Sequence, residues 1–188
     1  MSNNIIQPLI TKRKSILSFS NKKIDEKNIQ ILFEAARWAP SSYNAQPWRF
    51  VIARKAQDKI YDEFYSLLME GNRIWAETAP ILVLSVAEVK DYMNRPNRFA
   101  FHDLGMAVGN LLIQATSMGL FVHQMGGYDF EAARKLLNIP ENFEPAAIMA
   151  IGYRGEIANL PDELKKREKA KRVRKEIAEF VFHGKWIL

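Results

Sequence analysis

The sequence predicts an α+β or α/β fold built around one central sheet. Helical and extended patterns alternate along the 188 residues, and this length is enough for one domain with a full hydrophobic core. The connections between the extended segments are long enough to allow mixed strand directions. We therefore expect a single domain over residues 1–188, without repeats or an interdomain linker.

Apolar residues recur at helical spacing in five segments. Asp25 is the candidate N-cap of the second, although Asn28 leaves its capping box incomplete. That helix must stop before Pro40, because proline lacks an amide hydrogen and biases its predecessor away from helical torsions. The predicted helices cover residues 5–14, 26–38, 56–69, 101–118 and 129–137.

The predicted helix over 101–118 contains Gly105 and Gly109. Two glycines inside a helix cost about 1 kcal/mol each relative to alanine. We therefore expect something to approach this backbone closely, with the helix buried at the centre or at a dimer interface.

Four apolar segments are predicted to be strands. They cover residues 48–53, 81–84, 119–122 and 146–153. The polar segment 88–99, which contains Pro96, is predicted to be a surface loop or lid. Beyond Pro161 the chain is charged, and the apolar residues that return later are Ile177, Phe180, Val181 and Trp186.

Composition excludes several kinds of chemistry. There is no cysteine, which excludes disulfides, thiol nucleophiles, thiolate zinc sites and cysteinyl flavin links. The three histidines lack helical metal-ligand spacing, so we expect no metal site. We expect a cytoplasmic protein, since the sequence shows neither a signal peptide pattern nor an apolar run of about 18 residues.

The net charge of +6 is concentrated at the two ends of the chain. Residues 1–23 carry five basic groups and no acid, and residues 161–188 carry nine basic against five acidic groups. Either these ends are solvated, or form a weak nucleic-acid surface, or they meet at one anion. A nucleic-acid-binding domain is disfavoured because aromatic residues do not interleave with the basic runs.

The loop between Pro40 and Pro47 is the most informative segment of the sequence. Its short polar side chains are Ser41, Ser42, Asn44 and Gln46, and Trp38 and Trp48 flank it. Hydroxyl and amide groups of this kind can line a flat ligand with polar edges, such as a flavin ring. A simple capped turn remains the alternative, because serine and asparagine favour turns for local reasons.

Five separated blocks, in their order and spacing, resemble the FMN-dependent nitroreductase family over nearly the whole chain. The blocks are Arg13–Phe19, Ala35–Phe50, Gly71-Asn72 with Trp75 and Ala79-Pro80, Asp103–Leu120 with Met125–Asp129, and Arg172–Lys175 with Gly184–Trp186. The second and fifth blocks are the most specific. The resemblance implies a three-layer fold with a mixed or antiparallel sheet flanked by helices. It also implies a homodimer in which the C-terminal extension crosses to the partner.

The resemblance implies that the two basic ends hold the phosphate of FMN. The residues implied are Arg13, Ser15, Arg172 and Arg174, with Lys14 as a further candidate that can equally face water. Arg172 and Arg174 are two apart, so both point to one side of an extended segment. Leu17 stands where many relatives have a second basic residue, so one phosphate contact can be missing here.

The resemblance also implies which residues surround the flavin ring and ribityl chain. Pro40, Ser41 and Ser42 are expected to reach the flavin of the partner subunit. The other residues implied are Asn44, Gln46, Asn72, Met125, Gly126 and Gly127, the last two beside flavin N5. Some relatives have an acidic residue at Gly126, so the electrostatics on that side should differ. Tyr128, Phe99 and Phe101 either cover the ring or belong to the core.

The function implied is reduction of nitroaromatics, quinones or a similar small acceptor at the expense of NAD(P)H. Flavin would take hydride at N5 and pass it on in a ping-pong cycle, so no side chain is assigned as catalytic. Two alternatives remain open: a flavin-binding protein with little turnover, and another flavin chemistry such as dehalogenation or flavin breakdown. The sequence does not indicate the physiological acceptor or a preference between NADH and NADPH.

Overall fold

The computed structural model describes residues 6–91 and 93–186. This part of the chain contains seven α-helices and four strands. The helices are α1 (Pro8–Lys12), α2 (Glu26–Arg37), α3 (Tyr61–Ser66), α4 (Glu70–Ala76), α5 (Ala100–Ser117), α6 (Phe130–Leu136) and α7 (Asp162–Lys169). The strands are β1 (Trp48–Arg54), β2 (Ile81–Glu88), β3 (Phe121–Met125) and β4 (Phe143–Gly152).

The four strands form one sheet in the order β1-β2-β4-β3. Every adjacent pair is antiparallel, so of the two arrangements left open by the sequence the sheet is antiparallel. The central strand β2 is buried along almost its whole length, as its continuous apolar sequence requires. A register shift between Ser85 and Val86 interrupts its pairing with β4.

Two hydrophobic cores, one on each face of the sheet, make the fold three-layered. Leu82 and Leu84 of β2 belong to the core that includes residues of α3, α4, α6 and α7. Ile81 and Val83 belong to the other core, which includes residues of α2 and α5. This alternation follows from the two-residue period of a strand. The predicted three-layer α+β arrangement is confirmed.

The predicted helix over 56–69 is wrong in its extent, because side-chain chemistry closes a turn first. The carboxylate of Asp58 accepts the backbone N–H of Arg54 at 2.7 Å, and Ala56 has a left-handed backbone with φ 59°. Helix α3 therefore begins only at Tyr61 and ends at Ser66. The backbone N–H of Met69 bonds to Gly127 instead of continuing the helix, and α4 starts anew after it.

Helix α5 confirms the predicted 101–118 helix, but no described residue outside the helix lies against its two glycines. A Cβ atom added at Gly105 or Gly109 would meet no heavy atom within 4 Å. Both glycines instead line an open groove of about 160 Å³. Of the two expectations for this helix, burial is confirmed on the face that carries Ala100, Asp103, Leu104, Ala107, Val108, Leu111 and Ala115, and a dimer interface stays a prediction. None of the described helices is long and apolar enough to cross a membrane.

The charged segment after Pro161 contains the helix α7, which the sequence did not predict. Leu164 and Glu168 of α7 are buried, whereas all of residues 171–181 are exposed. We call residues 171–186 the C-terminal arm. Its apolar residues Ile177, Phe180 and Trp186 are 70%, 59% and 76% exposed, so they anchor nothing within the protomer.

Candidate functional site

The two basic ends of the chain meet in the structure. The guanidinium group of Arg172 donates hydrogen bonds to the backbone carbonyls of Thr11 and Arg13. Arg13 in turn donates to the hydroxyl of Ser15 at 3.3 Å. The C-terminal arm is thereby held against the segment that follows α1. The convergence of the two basic ends at one anion requires this arrangement.

We call Arg13, Arg172 and Arg174 the arginine cluster. Partial burial lowers the pKa of Arg13, and the neighbouring charges of Arg172 and Arg174 lower it further. No ion pair to a carboxylate involves any of the three within residues 6–91 and 93–186. Three mutually repelling guanidinium groups without a counter-ion have the chemistry of a site for a phosphate.

Lys14 lies beside this cluster but is engaged elsewhere. Its ammonium group bonds to the backbone carbonyl of Glu168 and lies 3.4 Å from Oε1 of the same residue. The structure thus directs Lys14 toward a buried carboxylate, which is neither of the roles that the sequence suggested for it.

The half-buried His123 connects the segment 13–19 with the central sheet. Nδ1 of His123 in β3 lies 2.7 Å from the carbonyl oxygen of Ile16. Because a carbonyl can only accept, this contact places the imidazole hydrogen on Nδ1. The other partner of His123 is Trp75 of α4, whose ring stacks on it at 4.3 Å between centroids. The segment 13–19, β3 and α4 are therefore held together around one aromatic stack.

Strand β3 ends in the two glycines that were expected beside flavin N5. Met125 is buried, Gly126 is exposed and Gly127 is half-buried. The carbonyl of Gly127 accepts from the side-chain amide of Asn72 at 3.0 Å and from the backbone N–H of Met69 at 3.0 Å. The structure thus brings Asn72 and Gly127 together, as the sequence predicted.

The two glycines differ in the space around them, which is open at Gly126 and occupied by Asn72 and Met69 at Gly127. A Cβ atom at Gly126 would meet nothing within 4 Å, whereas one at Gly127 would lie 3.0 Å from Nδ2 of Asn72. Among the described residues, no hydrogen bond uses the backbone N–H of Gly126 or of Gly127. These two amides are therefore available to a ligand, and the open space at Gly126 allows a close approach.

The polar loop 40–47 is folded by contacts of its own. The backbone N–H of Ser42 donates to the buried carboxylate of Asp103 in α5 at 3.0 Å. The hydroxyl of Ser41 accepts the backbone N–H of Gln46 at 3.0 Å. Left-handed backbone occurs at Tyr43, Asn44 and Gln46, with φ between 48° and 55°. These contacts give the loop a fixed shape while Pro40 and Asn44 stay exposed.

Sequence reasoning missed Asp103 as a residue of this site. In the sequence, Asp103 is an acidic residue in the first turn of a long helix. A favourable interaction with the helix dipole explains such a residue without any role in a site. Within the described ranges, no hydrogen bond joins the loop to the arginine cluster or to Gly126 and Gly127. Within one protomer, Arg13, Ser15 and Arg172 form one group of predicted site residues, and Asn72 and Gly127 form another. In the part of the chain that the structure describes, the loop 40–47 is hydrogen-bonded to neither group.

The three candidate aromatic residues divide between core and surface. Tyr128 is fully buried and packs against Phe130 at 4.2 Å, so it belongs to the core. Phe99 and Phe101 are 48% and 49% exposed at the start of α5, and they remain free to contact a bound molecule.

The chain is similar to known flavoproteins. The sequence model described as "Nitroreductase family" matches residues 10–74 and 67–153. A solved structure described as an oxidoreductase containing FMN superposes with a TM-score of 0.91 at 33% identity, over 100% of this chain and 96% of that one.

Two curated relatives point to related activities. A protein from Archaeoglobus fulgidus, provisionally named NADH dehydrogenase/NAD(P)H nitroreductase, is 29% identical over 77% of this chain and 83% of its own. An iodotyrosine deiodinase from Haliscomenobacter hydrossis is 27% identical over 84% of this chain and 82% of its own.

Proposed function

Because the chain belongs to the nitroreductase family, we propose that it is an FMN-dependent enzyme that uses NAD(P)H to reduce nitroaromatics, quinones or a similar small acceptor. The observation that carries this proposal is the arginine cluster. Arg13 and Arg172 come from opposite ends of the chain and meet through the hydrogen bond from the guanidinium group of Arg172 to the carbonyl of Arg13. Partial burial and the charges of Arg172 and Arg174 lower the pKa of Arg13. A phosphate dianion is the ligand that would neutralise them.

The residues of the protomer fit FMN at two places. Arg13, Arg172 and Arg174 would hold the phosphate, with the hydroxyl of Ser15 as a further donor. The amides of Gly126 and Gly127 would face the ring, and Gly126 has open space beside it. Asn72 would fix the orientation of the Gly127 peptide, because its side-chain amide donates to the carbonyl of Gly127 at 3.0 Å.

Bound FMN would supply the redox chemistry, accepting hydride at N5 and giving it to an acceptor. The protein would then provide orientation and electrostatics only. Gly126 places no charge beside the ring, and the aromatic stack of Trp75 and His123 fixes the end of β3 from which both glycine amides project. No ionisable side chain of the chain is assigned to proton transfer.

We further propose that the enzyme is a homodimer in which Pro40, Ser41 and Ser42 serve the flavin of the partner. Two observations support this. The loop has a fixed shape, but among the described residues it makes no hydrogen bond to the arginine cluster or to Gly126 and Gly127. Gly105 and Gly109 line an open groove on α5 that a second backbone can enter.

Spectroscopy of the purified protein tests the cofactor and the electron donor. The protein should be yellow and should release FMN on denaturation, and anaerobic NADH or NADPH should bleach it. A colourless protein that FMN cannot reconstitute would contradict the proposal. A yellow protein that neither donor bleaches would indicate flavin binding without turnover.

Reductive dehalogenation is the second candidate, because an iodotyrosine deiodinase is among the similar proteins. An anaerobic comparison of a nitroaromatic, a quinone and iodotyrosine as acceptors for the reduced enzyme distinguishes the two. Faster reoxidation by iodotyrosine, with release of iodide, would favour dehalogenation.

A further inference from the structure

Glu168 of α7 is a buried carboxylate directly behind the arginine cluster. Its side chain is 1% exposed. Oε2 accepts the backbone N–H of Leu17 at 2.8 Å, and Oε1 accepts Nη1 of Arg154 at 2.9 Å. Nζ of Lys14 lies 3.4 Å from Oε1. One charge that the solvent does not reach is thus shared among two cations and one amide.

These partners make Glu168 a fixed point for the segment 14–17. A buried charge is tolerated only where cations and hydrogen bonds compensate for its lost hydration. Moving Leu17 or Lys14 would remove part of that compensation and leave the charge of Glu168 less well paired. Displacement of the segment 14–17 is therefore energetically unfavourable. Arg13 and Ser15 are the chain neighbours of Lys14, so the contacts that fix Lys14 also restrict where their backbone can lie.

The same residue fixes the origin of the C-terminal arm. Helix α7 ends at Lys169, one residue after Glu168, and the arm begins at residue 171. Arg172 then bonds back to the carbonyls of Thr11 and Arg13. Glu168 consequently lies at the junction of the two chain segments that carry the arginine cluster.

We propose that Glu168 is a positioning residue for the phosphate of FMN. It sets the spacing of the arginines from both ends of the chain without touching the phosphate. Lys14 serves this arrangement by neutralising Glu168, and it is not a phosphate ligand. This inference rests on the proposed binding of FMN.

The test compares FMN with riboflavin, which has the same ring and no phosphate. Glu168→Gln keeps the shape of the side chain and removes its charge. We expect the affinity of the FMN-free protein for FMN, measured by flavin fluorescence, to fall on the order of 10-fold, as for other residues that orient ligand-binding groups. The affinity for riboflavin should stay the same. Glu163→Gln, an exposed position on the same helix, is the matched control and should change neither.

A purely structural role predicts a different pattern. In that case Glu168→Gln would lower the melting temperature and weaken FMN and riboflavin equally, and this result would overturn the proposal. Equal FMN affinity in Glu168→Gln and the wild type would overturn it as well. If Glu168→Gln does not fold, Arg154→Met removes one partner at a side chain that is 37% exposed. Arg154→Met must then lower the affinity for FMN and leave the affinity for riboflavin unchanged. Equal changes in the two affinities, or no change in either, would overturn the proposal.

Lys14→Met separates the two roles of Lys14. If Lys14 acts only through Glu168, the double variant Glu168→Gln/Lys14→Met should bind FMN no worse than Glu168→Gln alone. Additive losses would mean that Lys14 contacts the phosphate itself. Failure of the wild-type protein to bind FMN would instead contradict the proposed function, which keeps the two outcomes distinct.

Discussion

The buried carboxylate of Asp103 accepts the backbone N–H of Ser42 at 3.0 Å, which attaches the polar loop to helix α5. Asp103 is 2% exposed, so its carboxylate has little access to water as an alternative partner, whereas Ser42 is half-buried. The loop that is proposed to serve a second subunit is thus anchored on the helix that presents Gly105 and Gly109 outward.

Replacing Asp103 by alanine should therefore weaken both the fold and the cofactor site. Losing a hydrogen bond to a half-buried amide costs about 0.5–1.5 kcal/mol in the free energy of unfolding. Urea denaturation measures that loss, and FMN titration measures the effect on the loop. Asp103→Asn retains an acceptor oxygen and should keep most of the stability. An Asp103→Ala protein as stable as the wild type would show that the loop does not depend on this contact.

Removing Arg172 or Arg174 should weaken FMN binding more than removing a neighbouring charge. A charge-assisted hydrogen bond contributes about 1.5–3 kcal/mol, which corresponds to a loss in affinity of roughly 10- to 100-fold. Lys175→Ala is the control, because it removes the same charge from the same arm. Unchanged FMN affinity in both arginine variants would contradict the phosphate assignment.

The Arg174→Ala variant also tests the repulsion within the cluster. Arg174 lowers the pKa of Arg13, so its removal relieves an unfavourable contact in the FMN-free protein. We expect the melting temperature of the FMN-free variant to be no lower than that of the wild type, while the stabilisation by added FMN shrinks. A lower melting temperature without FMN would mean that Arg174 stabilises the fold by itself.

Acid should destabilise the protein through His123. Burial lowers the pKa of His123 below its ordinary value of 6.5, although the hydrogen bond to Ile16 opposes this shift. Between the lowered native pKa and 6.5, His123 is therefore protonated in the unfolded chain but neutral in the native state. The stability that neutral His123 contributes is complete above a pH of about 6.5 and declines as the pH falls toward the lower native pKa.

The free energy of unfolding, measured from about pH 8 down to about pH 5, checks this expectation. In His123→Gln the decline over that range should be smaller than in the wild type. The exposed His102 on α5 provides the control, and His102→Gln should follow the wild-type curve. Identical pH profiles for all three proteins would exclude His123 as the source.

If the chain forms the proposed homodimer, replacing Gly109 by leucine should disrupt it and leave the fold of the protomer intact. No heavy atom lies within 4 Å of a Cβ at this position, and leucine favours a helix by about 1 kcal/mol over glycine. Light scattering should report a monomer with lower FMN content, while circular dichroism remains unchanged. An intact dimer would exclude this face of α5 from the interface.

The sequence predicted those features that depend on local patterns. The continuous apolar run of β2 and the helical spacing of apolar residues in α5 identified two central elements, and Pro40 marked the end of α2. It also predicted that the two basic ends converge, because the family resemblance placed Arg13 and Arg172 on one phosphate. The structure brings these residues together.

Features that depend on distant partners were not predictable in this way. Glu168 lies in a run of charged residues that is typical of a solvated helix, and only the positions of Leu17 and Arg154 reveal its burial. Helix α3 was predicted too long, because the bond from Met69 to Gly127 that interrupts it joins residues far apart in sequence. The role of Asp103 could not be predicted for the same reason, since its partner Ser42 precedes it by 61 residues.

The bonds from Arg172 to Thr11 and Arg13 span 161 and 159 residues, and they also constrain biosynthesis. While a ribosome is still translating the sheet and α5, the first half of the anion site already exists without its second half. If the arginine cluster holds the phosphate as proposed, the nascent chain would retain FMN firmly only after residue 172 has left the exit tunnel. Cofactor binding would then follow translation of the C-terminal arm and its return to the segment after α1.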